Sequence, residues 1–473
     1  MSYKKITFCL YIVSLCMQSL SAQTRSNTRP NVVLIMADDI SWECFSTYGG
    51  TDYTTPNIDR LAQKGLQFNH CYSTPICTTS RVKMMTGKYN FRNYTHFGYL
   101  HPNEKTFANM LQESGYKTAI AGKWQLNGLY HNAERAKDNA RPYEAGFDEY
   151  CLWQLTKPKK SSEDGGERFW SPPLEKNGTF LSKEDNKGKY GPDIMSDFLC
   201  DFIEKNKKHP FFIYYPTVLV HSPFVPTPDN IGDRPKTQEA NKKVKHESKS
   251  KENFVAMVSY LDKIVGKIVH KLEEVDQLEN TIVLFTADNG TNKKITSTWN
   301  GQKIVGGKAT TRDMGTHVPL IVYWKGKTPQ GVQNNDLIDF SDFYQTIADI
   351  ANIKKKEKYT LDSKSFYPQI VGEKAQARKW QANHYQPYWL EINPAQYVRN
   401  QHYKLYRNQR LYKISDDLNE QNNRYNSTEQ ADVKALKELT EVIKRFPPSP
   451  KKEVGENVKE RPLYADWNDL LSD

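Results

Sequence analysis

The first half of the chain is marked by continuous apolar runs rather than alternating ones. Asn31-Val32-Val33-Leu34-Ile35-Met36 carries no polar residue after its first position and ends in Ala37-Asp38-Asp39. Thr281-Ile282-Val283-Leu284-Phe285-Thr286 has the same character and ends in Ala287-Asp288-Asn289-Gly290. Runs of this kind predict strands buried on both faces, as in a parallel sheet. Residues 117–121 and 210–215 predict two further strands. Helical spacing lies between them. Thr55-Pro56-Asn57 opens a helix with proline near its first turn, and residues 105–115 predict another. Phe254, Met257, Leu261, Ile264, Ile268 and Leu272 fall three or four apart, an amphipathic helix whose apolar stripe is core. Residues 339–353 predict the last helix of the main domain.

Two polar stretches interrupt this order. Residues 155–189 read as a long surface excursion at the substrate rim, and 226–252 as a charged insertion. From about residue 360 the pattern changes to short strand-like runs, Tyr403-Lys404-Leu405-Tyr406 and Leu411-Tyr412-Lys413-Ile414, with a helix over 431–446 and an irregular tail after Pro447. The expected fold is α/β, a large central, mostly parallel sheet flanked by helices, followed by a small C-terminal α+β domain. The expected division is 1–22, 23–359 and 360–473.

Composition narrows the class. A chain of 473 residues is long enough for two domains with real cores. A hydrophobic share of 37% with 26% charged residues excludes a membrane protein and a disordered chain. The net charge of +11 suits a polyanionic partner, although the lysines at 242, 243, 245, 249, 251 and 354–356 lie in polar stretches and read as a solvated face. Residues 1–22 read as a secretory signal: Lys4 and Lys5, an apolar run over 6–15, then Leu20-Ser21-Ala22 as a cleavage site. That run is too short to span a membrane. The mature protein is expected to be exported, to the periplasm or beyond, with no membrane span. Five cysteines then remain, Cys44, Cys71, Cys77, Cys151 and Cys200, so at least one thiol is unpaired or altered.

The stretch that carries chemistry is Cys77-Thr78-Thr79-Ser80-Arg81, running on to Thr86-Gly87. Tyr72-Ser73-Thr74-Pro75-Ile76 before it reads as loop, so Cys77 is expected at a helix start, where backbone N–H groups and the helix dipole favour an anion. Arg81 lies four residues on, on the same face. A bare Cys-x-x-x-Arg is more often a buried cysteine with a surface arginine. A cysteine phosphatase loop beginning at His70-Cys71 fails, because Cys77 stands where its arginine belongs. The two strand ends add Asp38, Asp39, Asp288 and Asn289, four oxygen ligands at one sheet edge. Hard oxygen donors select calcium or magnesium over zinc.

On these residues the chain resembles the formylglycine-dependent (type I) sulfatases of the alkaline phosphatase superfamily. Their signature is Cys-x-Pro-Ser-Arg followed by Thr-Gly, matched here at Cys77, Ser80, Arg81, Thr86 and Gly87 but not at Thr79, which stands for the proline. Further motifs keep the family's order: Thr55-Pro56-Asn57-Ile58-Asp59-Arg60, Gly122-Lys123-Trp124, His221-Ser222-Pro223, Gly306-Gly307-Lys308 and Gly315-Thr316-His317-Val318-Pro319. Gln125 stands where the family has His, and His317 where Arg is common.

The resemblance implies that a maturase oxidises Cys77 to formylglycine. It implies one calcium ion held by Asp38, Asp39, Asp288 and Asn289 together with the converted Cys77. Arg81, Lys123 and Lys308 would neutralise sulfate, and His221 with Lys308 would protonate the leaving sugar oxygen. Gln125 would line the substrate pocket but cannot act as a base, leaving His96, His101 or a water for that step. The implied substrate is a sulfated carbohydrate, with no nucleic acid partner. A phosphomonoester or phosphodiester hydrolase on the same scaffold and a non-catalytic glycan-binding relative are the alternatives.

Overall fold

The computed structural model describes residues 29–94, 96–129, 135–157, 168–233, 247–354, 360–386 and 395–448. The signal expected over 1–22, the tail beyond 448 and parts of both polar stretches lie outside the described residues. The strands run β1 (Asn31–Ala37), β2 (Leu66–Tyr72), β3 (Lys117–Lys123), β4 (Glu149–Trp153), β5 (Leu174–Lys176), β6 (Thr179–Phe180), β7 (Phe211–Pro216) and β8 (Thr281–Ala287). They continue with β9 (Thr296–Trp299), β10 (Gln302–Val305), β11 (His317–Trp324), β12 (Val332–Asp339), β13 (Gln381–Tyr385), β14 (Ala395–Arg399), β15 (Tyr403–Tyr406) and β16 (Arg410–Lys413). The helices of seven residues or more are α1 (Pro56–Lys64), α2 (Cys77–Thr86), α3 (Phe107–Glu113), α4 (Gly191–Asn206), α5 (Glu247–Glu274), α6 (Asp342–Ile350) and α7 (Gln430–Lys444).

Ten strands make one sheet in the order β12-β2-β11-β8-β1-β7-β3-β4-β5-β6. Its centre, β8, β1, β7, β3 and β4, is parallel throughout. Every residue of β1 and β8 is buried, which is why both read as unbroken apolar runs. They pair in register from Asn31 opposite Thr281 to Ala37 opposite Ala287. The acidic pairs that follow therefore emerge side by side. Helices cover the sheet: α1 packs on α5 and β11, and α4 on β3 and α5. The C-terminal part is a four-stranded antiparallel sheet, β13-β14-β15-β16, with α7 against β14 and β15.

Several boundaries differ from the sequence reading. The helix expected over 105–115 is shorter, because Thr106 caps it, accepting from the N–H groups of Ala108 and Asn109. Strand β3 runs on to Lys123, so this lysine ends the strand instead of following it. Helix α5 starts at Glu247, inside the stretch expected to be an insertion. The helix expected from 339 starts at Asp342, and Asp339 instead ends β12, a strand whose polar Gln333-Asn334-Asn335-Asp336 hid it.

Helix α2 is fixed from behind. Lys83, on α2, sets its Nζ 2.7 Å from Asp339 Oδ2 and 3.3 Å from the Ala382 carbonyl, tying α2 to β12 and β13. Both partners are almost wholly buried. Lys83→Met leaves Asp339 buried without its cation, at an expected cost of about 3–5 kcal/mol. Chemical denaturation is the check, and an unchanged midpoint would contradict the pairing.

Candidate active site

The loop before α2 is held by its own hydroxyls. Ser80 Oγ accepts from the Thr74 N–H at 3.0 Å and donates to the Ile76 carbonyl at 3.1 Å. Thr79 Oγ1 donates to the Ile76 carbonyl at 2.9 Å and bonds to the Thr74 hydroxyl. Ile76 is the extended N-cap residue, so Cys77 is the first residue of α2, as expected. Thr79 sits in the first turn, where helix N–H groups have no carbonyl partner within the helix, so the family's proline fits the same position. Gly87 closes α2 in the left-handed region, at φ +66°.

Arg81 is buried, and it points at backbone. Its Nη1 donates to the carbonyls of Lys123 at 2.7 Å and Trp124 at 2.5 Å. Its Nη2 lies 3.4 Å from the Gln125 carbonyl, and its Nε has no partner. The arginine thus clamps the chain just beyond β3 onto the first turns of α2. The clamped Gln125 has φ +47°, a left-handed conformation that costs a non-glycine residue roughly 1–2 kcal/mol. Its Oε1 lies 3.8 Å from Cys77 Sγ.

Beyond the carboxyl ends of β8, β1, β7 and β3 the remaining expected residues converge. Lys123 Nζ grips both oxygens of Asp38, at 3.1 and 2.9 Å. Lys308 Nζ sits 2.5 Å from Asp39 Oδ2 and 3.0 Å from His221 Nε2. The Asp39 N–H donates to Asp288 Oδ1 at 3.1 Å, and Asn289 Nδ2 donates to Asp39 Oδ1 at 2.9 Å. His221 Nδ1 lies 2.5 Å from the Ser222 carbonyl, so Nδ1 carries the hydrogen and Nε2 accepts from Lys308.

Burial and charge set the protonation states here. Burial pushes the Asp288 carboxyl well above the usual carboxylate range, with Asp38 beside it adding repulsion. Asp39 is also raised, by burial, against the pull of Lys308. Asp38 is lowered, since Lys123, Arg168 and Lys308 outweigh its burial. His221 is held well below the usual imidazole range by burial and then by Arg168, Lys308 and Lys123. Lys308 is raised: burial opposes its charge, but Asp39 and then Cys77 outweigh it.

Crowded, buried carboxylates with raised protonation constants are what a divalent cation relieves. Asn289 Oδ1 is buried with no partner, an orphaned hard donor beside them. The residues present therefore fit calcium. Asp38, Asp39 and His221 can each offer a ligand atom within 4.8 Å of one another, so a histidine nitrogen enters a donor set that the sequence reading limited to oxygens and Cys77. Lys308 already faces that nitrogen, and an oxygen-seeking ion leaves it to the lysine.

Two residues of the site were missed. Arg168 Nη1 lies 3.3 Å from Asp38 Oδ2, and its guanidinium stacks 4.3 Å over the Trp153 ring. It belongs to the stretch read as a surface excursion, and the one signal was Phe169-Trp170 breaking a polar run. Tyr385, on β13, lies within electrostatic reach of Cys77. By contrast both ring nitrogens of His317 have partners outside this cluster: Nδ1 meets Asp313 Oδ2 and Nε2 the Asn69 carbonyl, both at 2.9 Å. Its ring stacks on Trp42. Arg399 Nη1 holds the other Asp313 oxygen at 2.6 Å, so His317 and Arg399 brace the segment that carries Lys308. His101 Nδ1 accepts from the Asn103 N–H, while His96 stacks on Tyr99 beside Gly98, whose N–H donates to Thr78.

A family model described as sulfatase matches residues 30–353, and one described as N-sulphoglucosamine sulphohydrolase, C-terminal, matches 308–446. The chain belongs to the sulfatase family. It is accordingly a sulfuric ester hydrolase. A sulfatase of Formosa agariphila is 27% identical over 522 residues, covering 89% of each chain. An N-acetylgalactosamine-6-O-sulfatase of Bacteroides thetaiotaomicron is 25% identical, covering 91% of this sulfatase and 96% of that one. Among solved structures, Ps i-CgsB in complex with k-i-k-neocarrahexaose superposes with a TM-score of 0.70 at 24% identity, over 88% of this chain and 92% of that one. At that identity the likeness speaks for the fold. Among the described residues, Cys44, Cys71, Cys77, Cys151 and Cys200 form no disulfide.

Proposed function

We propose that this sulfatase hydrolyses a sulfate ester on a carbohydrate, with a nucleophile made by oxidation of Cys77 to formylglycine. What supports the reading is the convergence of Cys77, at the start of α2, with Lys308, His221 and the acidic pairs beyond β1 and β8. The sugar is argued from relatives acting on or bound to sulfated sugars. A formylglycine maturase supplies the oxidant, and hydration of the aldehyde supplies an oxygen nucleophile at residue 77.

Calcium, held by Asp38, Asp39, Asp288 and Asn289 with residue 77, would supply Lewis-acid polarisation of the sulfate oxygens. Lys123 and Lys308 then hold the sulfate, and their charges offset what builds up on its oxygens in the transition state. Arg168, behind Asp38, keeps that carboxylate ionised and turned inward. Arg81 holds residue 77 and Gln125 in fixed relation through the β3 turn. As the ester bond breaks, the sugar oxygen takes a proton from the Lys308–His221 pair: Lys308 holds its proton against His221 Nε2, and His221 is anchored through Nδ1. Export of the mature chain rests on residues 1–22. No helix among the described residues is long and apolar enough to cross a membrane.

The test is release of inorganic sulfate from a panel of sulfated oligosaccharides by maturase-treated protein, with phosphate esters alongside. Sulfate release supports the reading. Faster phosphate release favours the phosphoesterase alternative, and binding without turnover after complete conversion favours a glycan-binding relative. Gln125 adds a kinetic expectation. Attack of one hydrate hydroxyl on sulfur would leave the sulfate on residue 77, and an amide beside it cannot take the proton of the other hydroxyl, whose loss expels sulfate and restores the aldehyde, so that step should limit turnover. Gln125→His should speed it by about 10²-fold, the lower end of the usual range for a positioned base. Stopped-flow burst measurements read this directly, and an unchanged steady rate after the burst would contradict it.

A further inference from the structure

A cleft of about 620 Å³ begins at the catalytic loop and runs toward the C-terminal sheet. Gly307 and Ala309, on either side of Lys308, form one wall. Tyr385, Tyr406 and Arg410, from β13, β15 and β16, form the other. The wall at Lys308 is rigid: the Lys308 N–H donates to the Thr291 carbonyl and the Ala309 N–H to the Pro75 carbonyl, each at 2.9 Å. A side chain at Gly307 would come within 2.6 Å of the Met314 backbone. The far wall is tied to the same loop, since the Tyr406 hydroxyl lies in hydrogen-bond contact with Thr311 Oγ1 at 2.8 Å.

The charge lining this cleft is one-sided. Lys293, Arg312 and Arg410 are exposed at its rim. Lys293 and Arg312 have no carboxylate partner among the described residues, and Arg410 rests on the Tyr406 ring and on Asn408 Oδ1. The one acid in the lining, Glu420, is already neutralised by buried Lys404 at 2.8 Å and by the Tyr406 hydroxyl at 2.7 Å. A second observation points to a ligand. Tyr385 is 2% exposed, lines the cleft, and its hydroxyl has no hydrogen-bond partner. A buried hydroxyl left without a partner is costly unless something that enters the site completes it. Val305, 56% exposed, adds an apolar surface on which a sugar ring can lie.

We propose that this cleft is a second anion subsite, and that the substrate is an oligosaccharide with a further sulfate or carboxylate near the sulfate ester that is hydrolysed. The proposal rests on the sulfate-ester reading of the Cys77 site. The three rim cations take the second anion, and the Tyr385 hydroxyl donates to the sugar unit between the two sites.

The test compares maturase-treated wild type with the triple variant K293Q/R312Q/R410Q and with Tyr385→Phe. The probes are 4-nitrophenyl sulfate, which has no second anion, and hexasaccharides of carrageenan, chondroitin sulfate and heparan sulfate. On 4-nitrophenyl sulfate the triple variant should stay within about twofold of wild type, because none of its three altered side chains belongs to the Cys77 site. On the hexasaccharide preferred by wild type, the triple variant should lose about tenfold in kcat/KM, mainly through KM, with a shallower dependence on salt. Tyr385→Phe should raise KM about threefold, the worth of one hydrogen bond. Equal kcat/KM for wild type and triple variant on every hexasaccharide overturns the proposal. So does turnover of 4-nitrophenyl sulfate by a wild type that neither cleaves nor binds any hexasaccharide, an outcome that leaves the sulfatase reading standing. If nothing is cleaved, calorimetric binding decides. Hexasaccharide binding about tenfold weaker in the triple variant keeps the subsite while the sulfate-ester reading fails, and equal or absent binding overturns the subsite.

Discussion

Cys77→Ala should remove sulfate release almost completely, by about 10⁴-fold or more in kcat, the scale seen when a nucleophile is deleted from an otherwise intact site. The fold should survive. Among the described residues Cys77 Sγ has a weak contact to Gln125 Oε1 at 3.8 Å, and the loop before it is held by Ser80, Thr79 and Thr74. The loss should therefore lie in kcat, with substrate still bound through Lys123 and Lys308. Cys77→Ser expressed without a maturase is the sharper control: the unoxidised serine keeps an oxygen at the same place, yet offers no aldehyde for hydration. Turnover near the wild-type rate by Cys77→Ser whose residue 77 is shown by peptide mass to be unoxidised would contradict a formylglycine mechanism, although it would leave the site where it is. Thermal unfolding of either variant should stay close to wild type, which separates loss of chemistry from loss of structure.

Asp288→Asn should abolish the response to calcium. In the metal-free protein Asp288 is a buried carboxyl facing Asp38 and Asp39, and the amide removes that repulsion while keeping an oxygen to accept the Asp39 N–H. The metal-free variant should therefore unfold at, or slightly above, the wild-type temperature. Wild type at about a hundred times the dissociation constant for calcium gains about 2.7 kcal/mol. For a chain of this length that is an increase of roughly 3 °C in Tm. The variant should gain nothing measurable. Its kcat should fall at least about 10²-fold, because the polarising charge on sulfate is lost. Equal calcium shifts in wild type and variant, read by scanning calorimetry with and without a chelator, would show that the ion binds elsewhere.

The central sheet and the acidic edge were legible because burial on both faces leaves an unbroken apolar run, and β1 and β8 are such runs with their Asp and Asn residues directly after them. The start of α2 was legible from Pro75 and the hydroxyl-rich loop. Strand β12 was not, because five of its eight residues face partly or fully to solvent and four of those carry polar side chains. Arg168 and Tyr385 were not legible either. Each reaches the site from an element far away in the chain, and nothing in a local pattern encodes that approach. His317 stands where Arg is common in the family, a departure the sequence left unexplained. Its partners, Asp313 and the Asn69 carbonyl, could be named only once β2 and β11 were paired. Arg81 matched its motif by position, but its contacts to three backbone carbonyls give it a clamping role that position alone does not convey.

The most direct measurement is the mass of the tryptic peptide from Gly65 to Arg81, taken on preparations whose rate of sulfate release is known. Co-expression with different maturases should give a series with different aldehyde fractions at residue 77. The account predicts that sulfate release rises in proportion to the aldehyde fraction and vanishes where Cys77 is wholly a thiol. Undiminished sulfate release from a preparation in which Cys77 is entirely thiol would contradict it.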